Sequence, residues 1–130
     1  MTAPEFFEIR KGYGYYRPVG PATLDHANGL MICALEYALE QKIERLLVNA
    51  ANLSMPFPTL SDRYFAMREW ARVAGGCMRL AVVLAPEIID PEGFGALVAR
   101  NAGLAANLFT SEPKALEWLL NGCNYGKSIA

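Results

Sequence analysis

The residues best placed to contact a ligand follow the predicted strands of this chain and are mostly neutral. In an open α/β sheet, ligands bind beyond the carboxyl ends of the parallel strands. Hydroxyls and amides there can orient a ligand, but no histidine lies near Glu87 in the sequence. The nearest carboxylates, Asp90 and Glu92, are accounted for by the predicted start of the next helix. Acid–base chemistry is therefore poorly supplied, and we predict a non-enzymatic protein without catalytic residues. Helix capping alone accounts for several of these side chains. The candidates are Asn49, Asn52, Ser54, Thr59, Ser61, Pro86, Glu87, Thr110 and Ser111.

His26 and the cysteines are the residue types that could form a nucleophilic or metal site. Cys33 follows His26 by seven positions, and two helical turns separate such residues by about 10 Å. A thiolate–imidazole couple needs hydrogen-bond contact, so this pair is not expected to act as one. A zinc site would need Cys77 and Cys123 to converge as well, and no ligand-like spacing indicates that. We predict no metal and no cofactor.

A stripe of mixed character lies on the second predicted helix. Ser61, Phe65, Arg68 and Arg72 recur at helical spacing, away from the predicted core residues. Aromatic residues and arginine dominate interface energetics, so the stripe favours a partner surface. A solvated face with one exposed aromatic residue is the alternative. With the residues before this helix, the predicted interaction or ligand surface comprises Asn49, Asn52, Ser54, Phe57, Phe65, Arg68 and Arg72.

The composition describes one globular unit. With 130 residues, 53% hydrophobic and 19% charged, the chain can bury one core and is not intrinsically disordered. A net charge of −1 excludes the broad basic field that non-specific nucleic-acid binding needs. The apolar runs Leu30–Leu35 and Leu80–Pro86 are too short to span a bilayer. Because no signal-peptide pattern is present either, we expect a cytoplasmic protein.

Short β-like runs alternate with longer helical runs. This order predicts an α/β protein with a mixed, largely parallel sheet flanked by helices, in the order ββαβαβαβα. We expect one domain over 1–122 and a frayed tail over 123–130. The predicted strands cover 6–11, 13–19, 46–51, 79–85 and 104–110. The predicted helices cover 24–42, 60–74, 90–103 and 111–120, and Gly122 is expected to close the last one.

The helix boundaries are predicted from caps and apolar stripes. Thr23 and Thr59 are predicted N-caps, and Asp62 resembles the second half of a capping box. The expected buried stripes are Leu24, Ala27, Met31, Ala34, Leu35, Ala38 and Leu39 on the first helix, and Leu60, Tyr64, Met67, Trp70, Ala71 and Ala74 on the second. Ile32 and Tyr37 widen the first stripe, which indicates either a homodimer interface or packing against the N-terminal hairpin.

Several segments carry a resemblance to a known family. They are Gly20-Pro-Ala-Thr23-Leu-Asp25, Leu46-Leu-Val-Asn49, Asp62-Arg63-Tyr64 with Arg68-Glu69-Trp70, Ile89-Asp90-Pro91-Glu92, and Phe109-Thr110-Ser111-Glu112 with Ala115-Leu116-Glu117-Trp118-Leu119. In order and spacing they resemble bacterial SpoIIAA-like proteins of the STAS group, named for sulfate transporters and anti-sigma factor antagonists. The resemblance extends from about Phe6 to Leu120. It implies a SpoIIAA-like fold, a homodimer and a protein-interaction module with a regulatory role.

The resemblance also implies a site of phosphorylation. The better-known anti-sigma antagonists carry a phosphorylatable serine where the helix after the third strand begins, and a helix N-terminus accommodates such a dianion. The matching hydroxyls here are Thr59 and Ser61, within Thr59-Leu60-Ser61-Asp62 in place of an Asp-Ser-Ser-Gly signature.

An alternative function is binding of a small apolar or lipid-like ligand. By analogy with the related Sec14-type fold, such a ligand would lie between the sheet edge and the loop 52–62, beneath Met55-Pro56-Phe57-Pro58. A ligand seen by native mass spectrometry, or as unassigned density in a pocket near Phe57, would favour this hypothesis, and a sealed, dry core beneath the loop would count against it.

Overall fold

A five-stranded sheet forms the centre of the protein. The computed structural model describes residues 3–76, 78–88 and 104–129, with residues 121–129 described by backbone alone. The strands are β1 (Phe7–Arg10), β2 (Tyr13–Tyr16), β4 (Arg45–Asn49), β6 (Arg79–Val83) and β7 (Ala105–Phe109). They lie side by side in this order; β1 is antiparallel to β2, and the remaining pairs are parallel. The predicted α/β class and the mixed, largely parallel sheet are confirmed.

The N-terminal hairpin is present as predicted. Gly12 makes its turn at a φ of +86°, which glycine adopts without steric cost. Gly14 lies in close contact with its neighbours, since a Cβ there would come within 3.1 Å of Phe7 and 3.2 Å of Leu46. A larger residue at this position would push the hairpin away from β4.

A second pairing was not predicted from the sequence. The two-residue strands β3 (Gly20–Pro21) and β5 (Leu53–Ser54) pair in parallel as a separate small sheet. The backbone N–H of Gly20 donates to the Asn52 carbonyl at 3.2 Å, and that of Ala22 donates to Ser54 at 2.9 Å. Asn52 and Ser54 therefore fasten the loop after β4 to the chain that leads into the first helix.

The first helix, α1 (Leu24–Glu40), begins where its cap predicts. The Thr23 hydroxyl accepts from the His26 backbone N–H at 3.0 Å. Tyr37 lies edge-to-face against Phe7 of β1, with ring centroids 5.0 Å apart. The N-terminal hairpin thus covers part of the wide apolar arc of α1, so the width of that arc gives no separate argument for a homodimer.

The second helix, α2 (Leu60–Ala74), packs beside α1 on the same face of the sheet. Its capping box is present: Asp62 N–H donates to the Thr59 hydroxyl at 3.0 Å, and Thr59 N–H donates to the Asp62 carboxylate at 2.8 Å. The helix ends at Gly75 with a left-handed φ of 61°, as the paired glycines predict.

One part of the predicted α2 stripe is wrong. Leu60 is 59% exposed and Tyr64 is 40% exposed, and among the described residues of α2 the buried ones are Met67, Trp70, Ala71 and Ala74. The spacing places Leu60 and Tyr64 on the inward side, but the first two turns of α2 extend beyond the edge of the core. Periodicity identifies the inward side of a helix and not how far the core reaches along it.

The last helix, α3 (Glu112–Ile129), covers the opposite face of the sheet. Its predicted end at Gly122 is wrong, because the helical backbone continues to Ile129. A single glycine inside a helix costs about 1 kcal/mol and need not end it. Fraying over 123–130 stays a prediction. The predicted helix over 90–103 lies outside the described residues.

Alternate strand residues build two separate cores. Leu46, Val48, Leu80 and Val82 face α1 and α2, in what we call the α1/α2 core. Residues of the opposite parity, among them Leu47 and Val83, face α3, in what we call the α3 core. This alternation follows from the two-residue period of a strand, which places the side chains of neighbouring residues on opposite faces of the sheet.

Candidate ligand-binding site

An apolar cavity of about 120 Å³ lies between α1, α2 and the sheet. We call it the apolar cavity. The sheet contributes its floor, the two helices contribute its sides, and the loop before α2 contributes its rim. Its lining includes Tyr16, Val82 and Leu108 from strands, Leu24, Ala27, Leu30 and Met31 from α1, Ala66, Met67 and Trp70 from α2, and Leu53, Met55 and Pro58 from the loop.

The wall of the apolar cavity offers little polarity. Its ionisable side chains, among the described residues, are Tyr16, Asp62 and Arg63, and the Asp62 carboxylate is already engaged in the capping box. The Trp70 indole N–H donates to the Asn28 side-chain oxygen at 2.6 Å, so it is satisfied within the protein. A molecule in this cavity would contact mainly hydrocarbon surface.

The size of the cavity limits what it can hold. An engineered apolar cavity of about 150 Å³ in another protein binds benzene. A volume of about 120 Å³ therefore suits one small ring or a short alkyl chain, and a longer chain would have to extend through the rim. The cavity lies where the apolar-ligand hypothesis expected it, beneath Met55 and Pro58, whereas Phe57 points away with 67% of its surface exposed.

Large apolar side chains are exposed next to this rim. Phe57, Leu60, Tyr64 and Phe65 are 67%, 59%, 40% and 70% exposed, and we call them the rim patch. Tyr64 and Phe65 contact each other edge-to-face at 5.9 Å between centroids. Arg68 donates to the Tyr64 hydroxyl at 3.3 Å and lies 5.5 Å from its ring centre.

The predicted surface stripe of α2 is only partly brought together. Phe65 belongs to the rim patch, and Arg68 borders the patch through its hydrogen bond to Tyr64. Arg72 lies one turn further along the helix, where it forms a salt bridge with Glu69. Hydrogen bonding to Glu69 raises the pKa of Arg72.

The phosphorylation candidates differ in what they contact. Both Thr59 and Ser61 are exposed at the start of α2. The Thr59 hydroxyl accepts the Asp62 N–H and is part of the helix cap, so a phosphate there would break the capping box. Ser61 lies beside the rim patch and has no role in the cap.

Asn49 does not join the other residues of the predicted surface. Its side-chain N–H donates to Glu112 Oε2 at 2.7 Å, on the α3 side of the sheet. Tyr15 O–H donates to the same oxygen at 2.8 Å. The sequence gives no signal for this cluster, because Asn49 lies 63 positions and Tyr15 lies 97 positions from Glu112.

The Tyr15–Asn49–Glu112 cluster fastens the first turn of α3 to β2 and β4. Tyr15 is buried, and the Arg10 guanidinium lies 3.7 Å from the centre of its ring. Burial raises the pKa of Tyr15, and the hydrogen bond to Glu112 raises it further. The Asn49 side-chain oxygen also accepts the Ala51 backbone N–H at 3.1 Å, and such internal hydrogen bonding is typical of a structural tie. Pro86, Glu87, Thr110 and Ser111 follow β6 and β7 at the same edge of the sheet.

His26 and Cys33 line a second depression, which we call the N-terminal groove. It measures about 480 Å³ and lies between α1 and the chain on either side of the hairpin. Both side chains are exposed, and no hydrogen bond joins them. Cys77 and the side chain of Cys123 lie outside the described residues. In the part of the chain that the structure describes, no three potential metal ligands come together.

Comparisons with known proteins leave the family open. A scan against protein-family models finds no match, and neither the curated proteins nor the solved structures contain one. Within the described ranges, the helices are too short or too polar to cross a membrane.

Proposed function

We propose that the protein is a SpoIIAA-like domain that binds a small apolar molecule in the apolar cavity. One observation carries the proposal: an open volume of about 120 Å³, lined by hydrocarbon side chains, lies between the sheet and both helices. The SpoIIAA-like relationship is supported by the resemblance of the sequence segments and by the α/β architecture. The ligand class is a small ring or a short alkyl chain.

The stability of the fold supports a natural occupant. An empty apolar cavity costs roughly 24 cal/mol per Å³, or about 3 kcal/mol for this volume. Domains are stable by only about 5–15 kcal/mol in total. A ligand that fills the cavity would recover part of that cost, because it restores the missing van der Waals contacts.

The lining favours binding without chemistry. Asp62 caps α2, and the remaining lining groups offer no paired acid and base among the described residues. The rim patch gives the cavity an apolar approach from solvent, which suits a ligand that is sparingly soluble in water.

Toluene is a suitable probe of this proposal. At ten times its Kd, a ligand of the folded state stabilises it by about 1.4 kcal/mol. We expect toluene to raise Tm and to shift the backbone amide signals of Ala66 and Met67. Ala66→Leu fills part of the cavity and should abolish both effects. Ala51→Leu adds the same side chain on an exposed loop residue and should respond as the wild type does. Equal responses of the two variants would contradict the proposal.

The rim patch supports a second candidate, a protein-interaction surface. We propose that two copies of this cytoplasmic protein pair through Phe57, Leu60, Tyr64 and Phe65, because exposed aromatic clusters are typical of interfaces. Light scattering at micromolar concentration should then give a dimer mass for the wild type and a monomer mass for Phe65→Ser. A monomer for both proteins would remove this candidate.

Phosphorylation of Ser61 would add negative charge beside the patch, and mass spectrometry of protein from its native host tests for it.

A further inference from the structure

The N-terminal groove has the size of a small-molecule site. Its volume of about 480 Å³ falls within the range of known ligand pockets, about 300–1,000 Å³. One wall is α1, and the other is formed by the residues before β1 and after β2. Tyr16 separates it from the apolar cavity and contributes to the walls of both.

Tyr16 carries a polar group that the protein leaves unused. The residue is 2% exposed, yet its hydroxyl has no hydrogen bond to any residue within the described ranges. Burial raises the pKa of Tyr16, with further contributions from Cys33 and Glu5. Tyr16 itself lines the groove together with both of these residues. The hydroxyl oxygen is not fully enclosed by protein, so it can accept a hydrogen bond from a molecule in the groove.

The charge of the groove is negative. Glu5 from the chain before β1 and Glu36 from α1 line it from opposite sides, and both are exposed. No lysine or arginine occurs among the described lining residues. The nearby Arg17 side chain acts on Tyr15, on the other face of the sheet.

An aromatic ring completes the groove. Phe6 is 50% exposed and has a φ of 69°, a left-handed conformation that bulky residues rarely adopt. Its carbonyl accepts the Arg17 backbone N–H at 3.3 Å. This hydrogen bond helps to hold the strained residue at the groove, which Phe6 and Glu5 both line.

We propose that the N-terminal groove binds a small organic cation, a protonated primary amine. The ammonium group donates to the hydroxyl oxygen of Tyr16 and to the carboxylates of Glu5 and Glu36, and the apolar part of the ligand packs on the Phe6 ring. Aromatic rings and carboxylates attract ammonium groups for the same electrostatic reason. This site is separate from the apolar cavity, so neither proposal depends on the other.

Three probes of matched size test the charge preference. Butylammonium, butanol and butyrate share a chain length and differ in charge at neutral pH. In an NMR titration, butylammonium should give saturable shifts at the amides of Glu5, Phe6, Val19 and Cys33. We expect butanol to bind there at least tenfold more weakly and butyrate to give no shift. Equal shifts with butylammonium and butanol, or shifts confined to the apolar cavity, would overturn the proposal.

Substitutions test the assigned groups. Tyr16→Phe keeps the buried ring and should weaken butylammonium binding about three- to tenfold, by loss of one hydrogen bond. The double variant Glu5→Gln/Glu36→Gln should weaken it at least tenfold. Glu117→Gln, which changes an exposed carboxylate on α3, should leave it unchanged. The amide spectra of all three variants verify folding. An unaltered affinity in the double variant would refute the proposed role of the carboxylates.

Discussion

The two faces of the central sheet are built from alternate residues of the same strands, and they are packed in different ways. The α1/α2 side contains the apolar cavity and borders the N-terminal groove. The α3 side is fastened by polar contacts: Tyr15 and Asn49 both bond Glu112, and Arg79 stacks 3.5 Å over the Trp118 ring while it donates to the Trp118 carbonyl. The two faces therefore differ in kind: the α3 side is held by polar contacts between distant elements, and the α1/α2 side contains open volume.

The largest expected effect is on the free energy of unfolding, when one leucine on each face of the sheet is shortened to alanine. Leu47 is 1% exposed within the α3 core, so Leu47→Ala should cost about 2–5 kcal/mol of unfolding free energy. Leu30 is half-buried and borders both the cavity and the groove, so part of its surface already lacks neighbours. Leu30→Ala should cost less, about 2 kcal/mol or below. Urea denaturation measures both values, and equal losses would contradict the difference between the faces.

A smaller effect is expected when the α3 tie is cut. Glu112→Ala removes the acceptor shared by the Tyr15 hydroxyl and the Asn49 amide. Leaving such buried groups without a partner costs about 1–3 kcal/mol. Glu117→Ala removes an exposed carboxylate from the same helix and should change stability by less than about 0.5 kcal/mol. Hydrogen exchange should accelerate in α3 and not in α1 or α2. Acceleration spread evenly over all three helices would show that the tie is not local.

The smallest effect is a pH dependence in the alkaline range. Folding raises the pKa of Tyr15, chiefly by burial, so its stabilising contribution is complete below the unfolded tyrosine pKa of about 10. It is lost as pH rises through the higher folded value, because the unfolded state then releases the proton more readily. Tyr15→Phe removes the titrating hydroxyl, so its stability should fall less than that of the wild type between about pH 9 and 11. Thermal melts recorded over this pH range measure the difference. If the stability of Tyr15→Phe falls as steeply with pH as that of the wild type, another group causes the alkaline loss. Tyr16, whose pKa is also raised by burial, is then the next candidate.

The local features of the fold were predictable because their causes lie close together in the chain. Thr59 and Asp62 form the capping box that their spacing indicates, and Gly75 ends α2 in the expected left-handed conformation. The hairpin around Gly12 follows from an equally short pattern. In contrast, the exposure of Leu60 and Tyr64 depends on where the neighbouring elements end. No pattern within α2 contains that information.

The candidate sites were predictable only in part. The loop at Met55 and Pro58 does border a cavity, as the apolar-ligand hypothesis expected from its position after β4. Asn49 was placed with that loop, but strand alternation turns it to the α3 side, where it bonds Glu112. The place of Tyr16 in the N-terminal groove becomes apparent only when the chain before β1 and α1 are assembled around it.

By itself, the sequence determined the five strands of the central sheet, the caps of α1 and α2, and the class of fold. These outcomes depend on interactions between residues a few positions apart, together with the two-residue period of a strand and the 3.6-residue period of a helix. Only the tertiary structure decided where space remains and which polar groups meet. Cavities, and contacts such as that of Tyr15 with Glu112, depend on how elements far apart in the chain pack together. No pattern among neighbouring residues contains that information.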